Sequence, residues 1–308
     1  MDLSVVFPCY NTRESLFELV KRTIEALQVM PVSYELIFVD DYSPQLDYIL
    51  ITDLAAKDDR IKLILFSRNF GQQAAITAGL SKTKGDWVVV MDADLQDDPK
   101  YITELYNKAH EGYDIVFTKA LNRKDGLLKK AFSDAFYTLF SFLTGSPVNR
   151  GLRNYGIYSR KAINTFLALK EQFRGFALLM RWVGFRSTTI EIEYRQRKIG
   201  KTSYSFLKSI NLALDSFIAF SDRPLKSTMV FGLFISTSAL IAGLVFFIRA
   251  ILGYSVLVGW TSLILSIWFM GGFTVFFIGL IGLYVGKVFN EAKGRPHYII
   301  DKTINIDE

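Results

Sequence analysis

The sequence predicts an α/β domain with a mostly parallel sheet, then a juxtamembrane amphipathic helix and a two-helix transmembrane hairpin. Three observations predict it. Short apolar runs alternate with longer amphipathic ones from Leu3 to about Tyr194. Acidic residues stand at the ends of the short runs in separated segments. Residues 227–286 contain one charged side chain, Arg249, whereas charges make up about a quarter of the other 248 positions.

The elements follow in order. Leu3–Phe7, Tyr34–Val39, Ile61–Phe66, Trp87–Met91 and Ile115–Thr118 read as strands, because each is a short apolar run rich in β-branched or aromatic residues. Glu14–Leu27, a segment around Leu46–Lys57, Gln72–Leu80 and Lys100–Glu111 read as helices. Strand and helix therefore alternate, and strands without a polar face imply a sheet covered on both sides. In such sheets ligands bind at the carboxyl ends of the strands.

Ser227 to Ile248 is an uncharged run of 22 residues, enough at ~1.5 Å per residue to cross a ~30 Å hydrocarbon core. Gly253-Tyr254-Ser255 and Gly259-Trp260 interrupt the next uncharged stretch, leaving Thr261–Val285 as a second span. Arg223 and Lys226 precede the first span, and Lys287, Lys293 and Arg295 follow the second. Positive flanks of this kind put both long ends in the cytoplasm. Upstream, Phe206, Leu207, Ile210, Leu214, Phe217 and Ile218 recur at helical spacing, as in a helix lying at the membrane interface or packed on the domain. The predicted organisation is a cytoplasmic domain over 1–204, the amphipathic helix over 205–226, spans at about 227–249 and 261–285, and a cytoplasmic tail over 287–308.

Composition excludes several classes. A hydrophobic content of 50% with seven prolines is not that of a disordered chain. The single cysteine, Cys9, makes neither an internal disulfide nor a zinc site. The N-terminus lacks the basic region and cleavage site of a signal peptide. No G-x-G-x-x-G or G-x-x-x-x-G-K-[ST] occurs, and His110 and His297 lie far apart, so dinucleotide binding, P-loop chemistry and a Ser-His-Asp triad lack their parts. The net charge of +6 and pI near 9.2 come without the interleaved aromatics of a nucleic-acid face; anionic lipid and substrate phosphates suit them better.

What stands at the strand ends carries the chemistry. The first strand ends in Pro8-Cys9-Tyr10-Asn11, the second in Asp40-Asp41, and the fourth in Asp92-Ala93-Asp94-Leu95-Gln96-Asp97. One aspartate at a strand end is an ordinary turn former, but clusters on one rim ask for another reason. Asp92 and Asp94, at i and i+2, can approach a common divalent ion, and hard oxygen ligands suit Mg²⁺ or Mn²⁺ holding a diphosphate.

The ordered segments V-V-F-P-C-Y-N, F-V-D-D-Y-S, S-R-N-F-G-Q-Q-A-A-I-T-A-G and V-M-D-A-D-L-Q-D-D-P closely resemble glycosyltransferase family 2. The long run Ser67–Gly79 narrows the resemblance to the polyprenyl-phosphate glycosyltransferases, and it continues through Trp182–Arg186, Arg197–Tyr204 and the R-P-H-Y-I-I tail. It implies a GT-A-type, Rossmann-like domain at the bacterial plasma membrane. The implied reaction is inverting transfer of a sugar, with UDP-glucose favoured, to undecaprenyl phosphate for cell-envelope glycan (lipopolysaccharide or O-antigen) modification. N-acetylglucosamine, galactose, mannose or an amino sugar are alternative donors, a non-catalytic membrane-tethered nucleotide-sugar-binding protein is an alternative role, and a homo-oligomer is compatible with either. By resemblance, Pro8, Tyr10, Asn11, Asp40 and Asp41 form the nucleotide pocket, while Asp92, Asp94 and Gln96 hold the metal. Lys119 and Arg123 meet the donor phosphates, and Lys129, Lys130, Ser133 and Arg197 hold the acceptor phosphate, with Asp92, Asp94 and Arg197 central to catalysis. One departure stands out: where the family carries G-D-F-R, this chain has Arg153-Asn154-Tyr155-Gly156, an amide in place of the usual carboxylate.

Overall fold

The computed structural model describes residues 1–121, 152–172, 175–193, 223–252 and 259–306. They fall into two units, the first made of Met1–Lys129, Asn149–Ser203 and Arg295–Glu308, the second of Lys130–Val148 and Tyr204–Gly294.

The first unit begins as anticipated, with β1 (Leu3–Cys9), α1 (Arg13–Gln28), β2 (Tyr34–Asp40), α2 (Asp47–Ala55), β3 (Ile61–Phe66), α3 (Gln72–Ser81) and β4 (Trp87–Val90). A 3₁₀ turn at Pro99–Tyr101 leads into α4 (Ile102–His110) and β5 (Ile115–Ala120). Then come β6 (Leu152–Ser159), α5 (Arg160–Ala168), α6 (Phe176–Trp182) and β7 (Ser187–Ile192). The second unit holds α7 (Arg223–Ile251) and α8 (Trp260–Ala292), after which β8 (Ile300–Ile304) rejoins the first.

The sheet order is β7-β5-β6-β4-β1-β2-β3-β8. Its centre, β4-β1-β2-β3, is parallel as expected, but β6 runs antiparallel to both β4 and β5, and β8 runs antiparallel to β3. The sheet is therefore mixed. Sequence reading passed over β6 because Gly156 interrupts its apolar pattern. A Cβ there would lie 2.6 Å from the Val116 carbonyl oxygen, so the glycine serves close strand approach. The C-terminal stretch, expected as a tail, forms β8 instead. Tyr298 stacks on Phe66 at 5.3 Å, Ser67 N–H donates to the Ile299 carbonyl, and the Asn305 amide donates to the Ala55 and Ile61 carbonyls.

Helices cover both faces. Leu16, Leu19 and Leu27 of α1, Ile51 of α2 and Leu105 of α4 join a core with Val5, Phe7, Leu36 and Phe38, whose rings stack at 4.6 Å in the pair Phe7–Phe38. On the opposite face α3 lies so close to β1 and β2 that a Cβ on Gly79 would run into Val6 and approach Val39 to 3.1 Å. At the amino ends of the central strands, buried Glu35 accepts from Ser4 Oγ (2.5 Å), Lys62 Nζ (2.6 Å) and Lys84 N–H (2.6 Å).

The residues of the two predicted spans are helical, in α7 and α8, and α8 continues past Val285 to Ala292. They pack through Phe231 and Phe273, at 5.5 Å between ring centres. Among the described residues, Ser266–Ala292 is a stretch long and apolar enough to cross a membrane. The predicted amphipathic helix over 205–226 lies outside the described residues up to Asp222.

Candidate active site

The order β4-β1-β2-β3 makes the carboxyl ends of β1 and β4 the point where successive crossovers leave in opposite directions, which opens a crevice. Pro8 marks where it begins. Val6 faces β4, since its carbonyl accepts from Met91 N–H, and Pro8 two residues on faces the same way where β4 has already ended. A residue with no N–H leaves no ladder donor unmet there.

Around this crevice the backbone adopts a run of left-handed, non-glycine conformations: Asn11 (φ 56°), Tyr42 (57°), Leu46 (57°) and Leu95 (60°). Such strain persists only where surrounding contacts impose it. Asn11 N–H donates to Ser43 Oγ (3.0 Å), and Thr12 N–H and Oγ1 both donate to Asp47 Oδ2 (2.8 and 2.9 Å). These contacts lock the β1 loop to the start of α2. Tyr10 and Tyr42 are left projecting, 43% and 59% exposed.

Asp40 and Asp41 are buried and engaged by backbone amides. Asp40 accepts from Ser43 and Tyr48 N–H, both at 2.8 Å, and Asp41 accepts from Phe70 (2.6 Å) and Gly71 (2.8 Å). Burial pushes the Asp40 carboxyl up to about 6, with the charges of Asp47 and Asp41 adding to it against the amide bonds. Burial also raises Asp41, while the amides and Arg68 oppose the rise. Each oxygen keeps a lone pair for a ligand donor.

The β4 loop is the third acidic element. Its Ala93 carbonyl accepts from Ser15 Oγ (2.7 Å), Asp94 Oδ1 accepts from Gln96 N–H (3.1 Å), and Asp92 Oδ1 accepts from Gln72 Nε2 (2.7 Å). Asp97 is buried, and Arg153 of β6 stands 3.1 Å from its Oδ1. Burial drives the Asp97 carboxyl upward; Arg153 opposes the rise, and the charges of Asp92 and Asp94 add to it. Three aspartates, Asp92, Asp94 and Asp97, thus gather in one short loop past β4. Two carboxylates and the Gln96 carboxamide oxygen fit a hard cation that completes its shell with water and phosphate oxygens. Among the described residues no group of three or more His, Cys, Asp and Glu forms an all-protein cage.

Beyond Gly156, which pairs with Val90, β6 runs past the end of β4 beside this loop. Tyr155 Oη donates to the Asp98 carbonyl (3.0 Å), so Asn154 lies between two residues tied to the acidic segment. Lys119 sits at the same edge, at the end of β5, exposed and 3.4 Å from Glu191. Arg123, Lys129, Lys130, Ser133 and Arg197 lie outside the described residues. Gln72 and Arg153 were not singled out for roles in the sequence, although Gln72 stands inside the S-R-N-F-G-Q-Q run.

The comparisons agree with this architecture. The glycosyl transferase family 2 model matches residues 4–181. An undecaprenyl-phosphate 4-deoxy-4-formamido-L-arabinose transferase of Proteus mirabilis is 34% identical over 311 residues, covering 99% of this chain and 94% of that protein. A prophage-derived bactoprenol glucosyl transferase of Shigella flexneri is 31% identical over 304 residues, covering 98% of each. Among solved structures, glucosyl-3-phosphoglycerate synthase from Mycobacterium tuberculosis shares the fold, with a TM-score of 0.51 at 19% identity over 71% of this chain and 80% of that one. A family model spanning more than half the chain, with near full-length relatives above 30% identity, makes this chain a glycosyltransferase belonging to glycosyl transferase family 2.

Proposed function

We propose that the enzyme transfers a hexose, glucose from UDP-glucose in the favoured reading, to undecaprenyl phosphate with inversion at the anomeric carbon. The observation that carries this is the Asp92–Gln96 loop at the mouth of the β1/β4 crevice, in a chain that also contains two long apolar helices. Support comes from relatives named for undecaprenyl-phosphate and bactoprenol transfer, and from the fold shared with a synthase solved with Mn²⁺ and UDP-glucose, at a TM-score of 0.50.

Each group has a task that follows from its chemistry. Pro8, Tyr10, Asn11, Asp40 and Asp41 bind the nucleoside. Asp92, Asp94 and Gln96 hold Mg²⁺ or Mn²⁺, which when bound neutralises charge on the departing diphosphate. Lys119 and Arg123 meet the donor phosphates. Lys129, Lys130, Ser133 and Arg197 draw the lipid phosphate to the anomeric carbon and hold it in line. A phosphate monoester has its second pKa near ~6, so at neutral pH its oxygen is already an anionic nucleophile. Asn154 in place of a carboxylate is then tolerable, because deprotonating the acceptor needs no strong base.

The acceptor's chain explains the apolar helices. Removing it from a bilayer costs about 0.8 kcal/mol per CH₂, so the enzyme must come to the lipid. Met229, Leu233 and Phe234 on α7 and Ile267, Trp268 and Phe269 on α8 are exposed, a surface suited to hydrocarbon and not to water. We place both helices across the bacterial inner membrane, with the catalytic unit and both termini cytoplasmic.

The test is incubation of the purified protein with undecaprenyl phosphate, Mn²⁺ or Mg²⁺ and a panel of nucleotide sugars, scored by lipid mass. A hexosyl-phosphoryl lipid formed only with metal is expected. Sugar release to water without a lipid product would overturn the acceptor assignment.

A further inference from the structure

The run Phe70–Gln72 is the one conspicuous sequence motif at the crevice that the proposed chemistry leaves without a job. It opens the crossover from β3 to β4, which must pass above the ends of β2 and β1, and it touches an acidic residue on each side. Phe70 and Gly71 N–H groups hold the two oxygens of Asp41, at the end of β2. One residue later the Gln72 carboxamide donates to Asp92 Oδ1, just past β4. Parallel strands lie about 4.8 Å apart, so a three-residue segment bridges carboxylates separated by the width of β1. Its own placement is fixed: Gly71 takes a φ of 94°, Gly79 seats α3 directly on Val6 and Val39, and Gln73 Oε1 accepts from Phe176 N–H at 2.8 Å.

We infer that Phe70–Gln72 is a clamp that sets the metal-binding carboxylate of Asp92 relative to the nucleotide-side carboxylate of Asp41, with Gln72 as the positioning residue. This rests on the metal reading above. A donor on Oδ1 restrains the carboxylate's rotation, and with it the direction in which the carboxylate meets a cation. Side chains that orient metal ligands in this way affect affinity without touching the ion.

The test uses the full chain in detergent and follows Mn²⁺ binding by loss of the free-ion EPR signal, with and without UDP. Gln72→Ala and Gln72→Met, the second keeping length and helix propensity while losing the donor, are each expected to weaken Mn²⁺ binding about tenfold at unchanged thermal midpoint. In an Asp92→Ala background the same substitutions should change binding by less than about twofold, since the acceptor of the Gln72 hydrogen bond is gone. Mn²⁺ affinity retained in both Gln72 variants, while Asp94→Ala abolishes binding, would overturn the clamp. So would an effect undiminished in the Asp92→Ala background. Wild-type-like binding in Asp94→Ala removes the metal assignment and the inference with it. A wild type that binds Mn²⁺ yet makes no glycolipid overturns the proposed acceptor and leaves the clamp to be judged on the same titration.

Discussion

Asp94 and Lys62 are both charged residues on central strands or their loops, yet their substitutions should fail in different ways. Asp94 lies in the loop past β4 and accepts from the Gln96 amide. Asp94→Ala is expected to lower turnover at least about a hundredfold while circular dichroism and detergent elution stay unchanged; near wild-type turnover would remove it from the site. Arg197→Ala should raise the KM for undecaprenyl phosphate more than that for the nucleotide sugar, and equal rises in a two-substrate titration would argue against contact with the lipid phosphate. Lys62, far from the chemistry, neutralises buried Glu35. Burial raises the Glu35 carboxyl, but bonds from Lys62, Ser4 and Lys84 outweigh it and hold the group below its ordinary value. A depressed carboxylate stabilises the fold above its unfolded pKa of about 4.5, and that contribution is lost as pH falls through the folded value. Lys62→Met strands the charge and should cost about 3–5 kcal/mol at neutral pH. The deficit should shrink once acid protonates Glu35, and a pH-independent loss in thermal melts would count against the pair. The residue types at the rim were legible in the sequence. That amides some thirty positions away engage both oxygens of Asp41 was not, because backbone donors leave no signature in side-chain identity.

At the scale of elements, the parallel centre was readable because β1, β2, β3 and β4 are predominantly apolar runs separated by helical segments. The antiparallel additions were less readable. Gly156 hides β6, and β8 is a short edge strand with two adjacent exposed charged residues, Asp301 and Lys302, and no apolar run. β6 matters to the site, since it delivers Arg153 to the acidic loop. Helix α3 links packing to chemistry more directly. Gly79→Ala would push it off Val6 and Val39, at an expected cost of about 1–3 kcal/mol for overpacking. Because the Phe70–Gln72 segment leads into the same helix, the variant should also need more Mn²⁺ for half-maximal activity. A lower melting temperature with an unchanged Mn²⁺ requirement would show that α3 can shift without disturbing its first turn.

For the whole molecule, β8 constrains the path of the chain through space. The polypeptide leaves the first unit, passes through α7 and α8, and is bonded again to β3 by Ile300–Ile304. A chain that must end on the side of the bilayer where it began can cross only an even number of times. On the placement proposed above, the apolar stretch in α8 has a return partner in α7, the other long helix among the described residues. Cysteine labelling reads this parity directly, since Cys9 is buried and gives little background. Ser255→Cys should react with a membrane-impermeant maleimide in spheroplasts with intact inner membranes, and Thr303→Cys only after lysis. Labelling of both from the same side would mean that neither helix crosses. On that placement a five-residue strand acts as a return address, closing the chain's excursion into lipid on the leaflet where the proposed chemistry takes place.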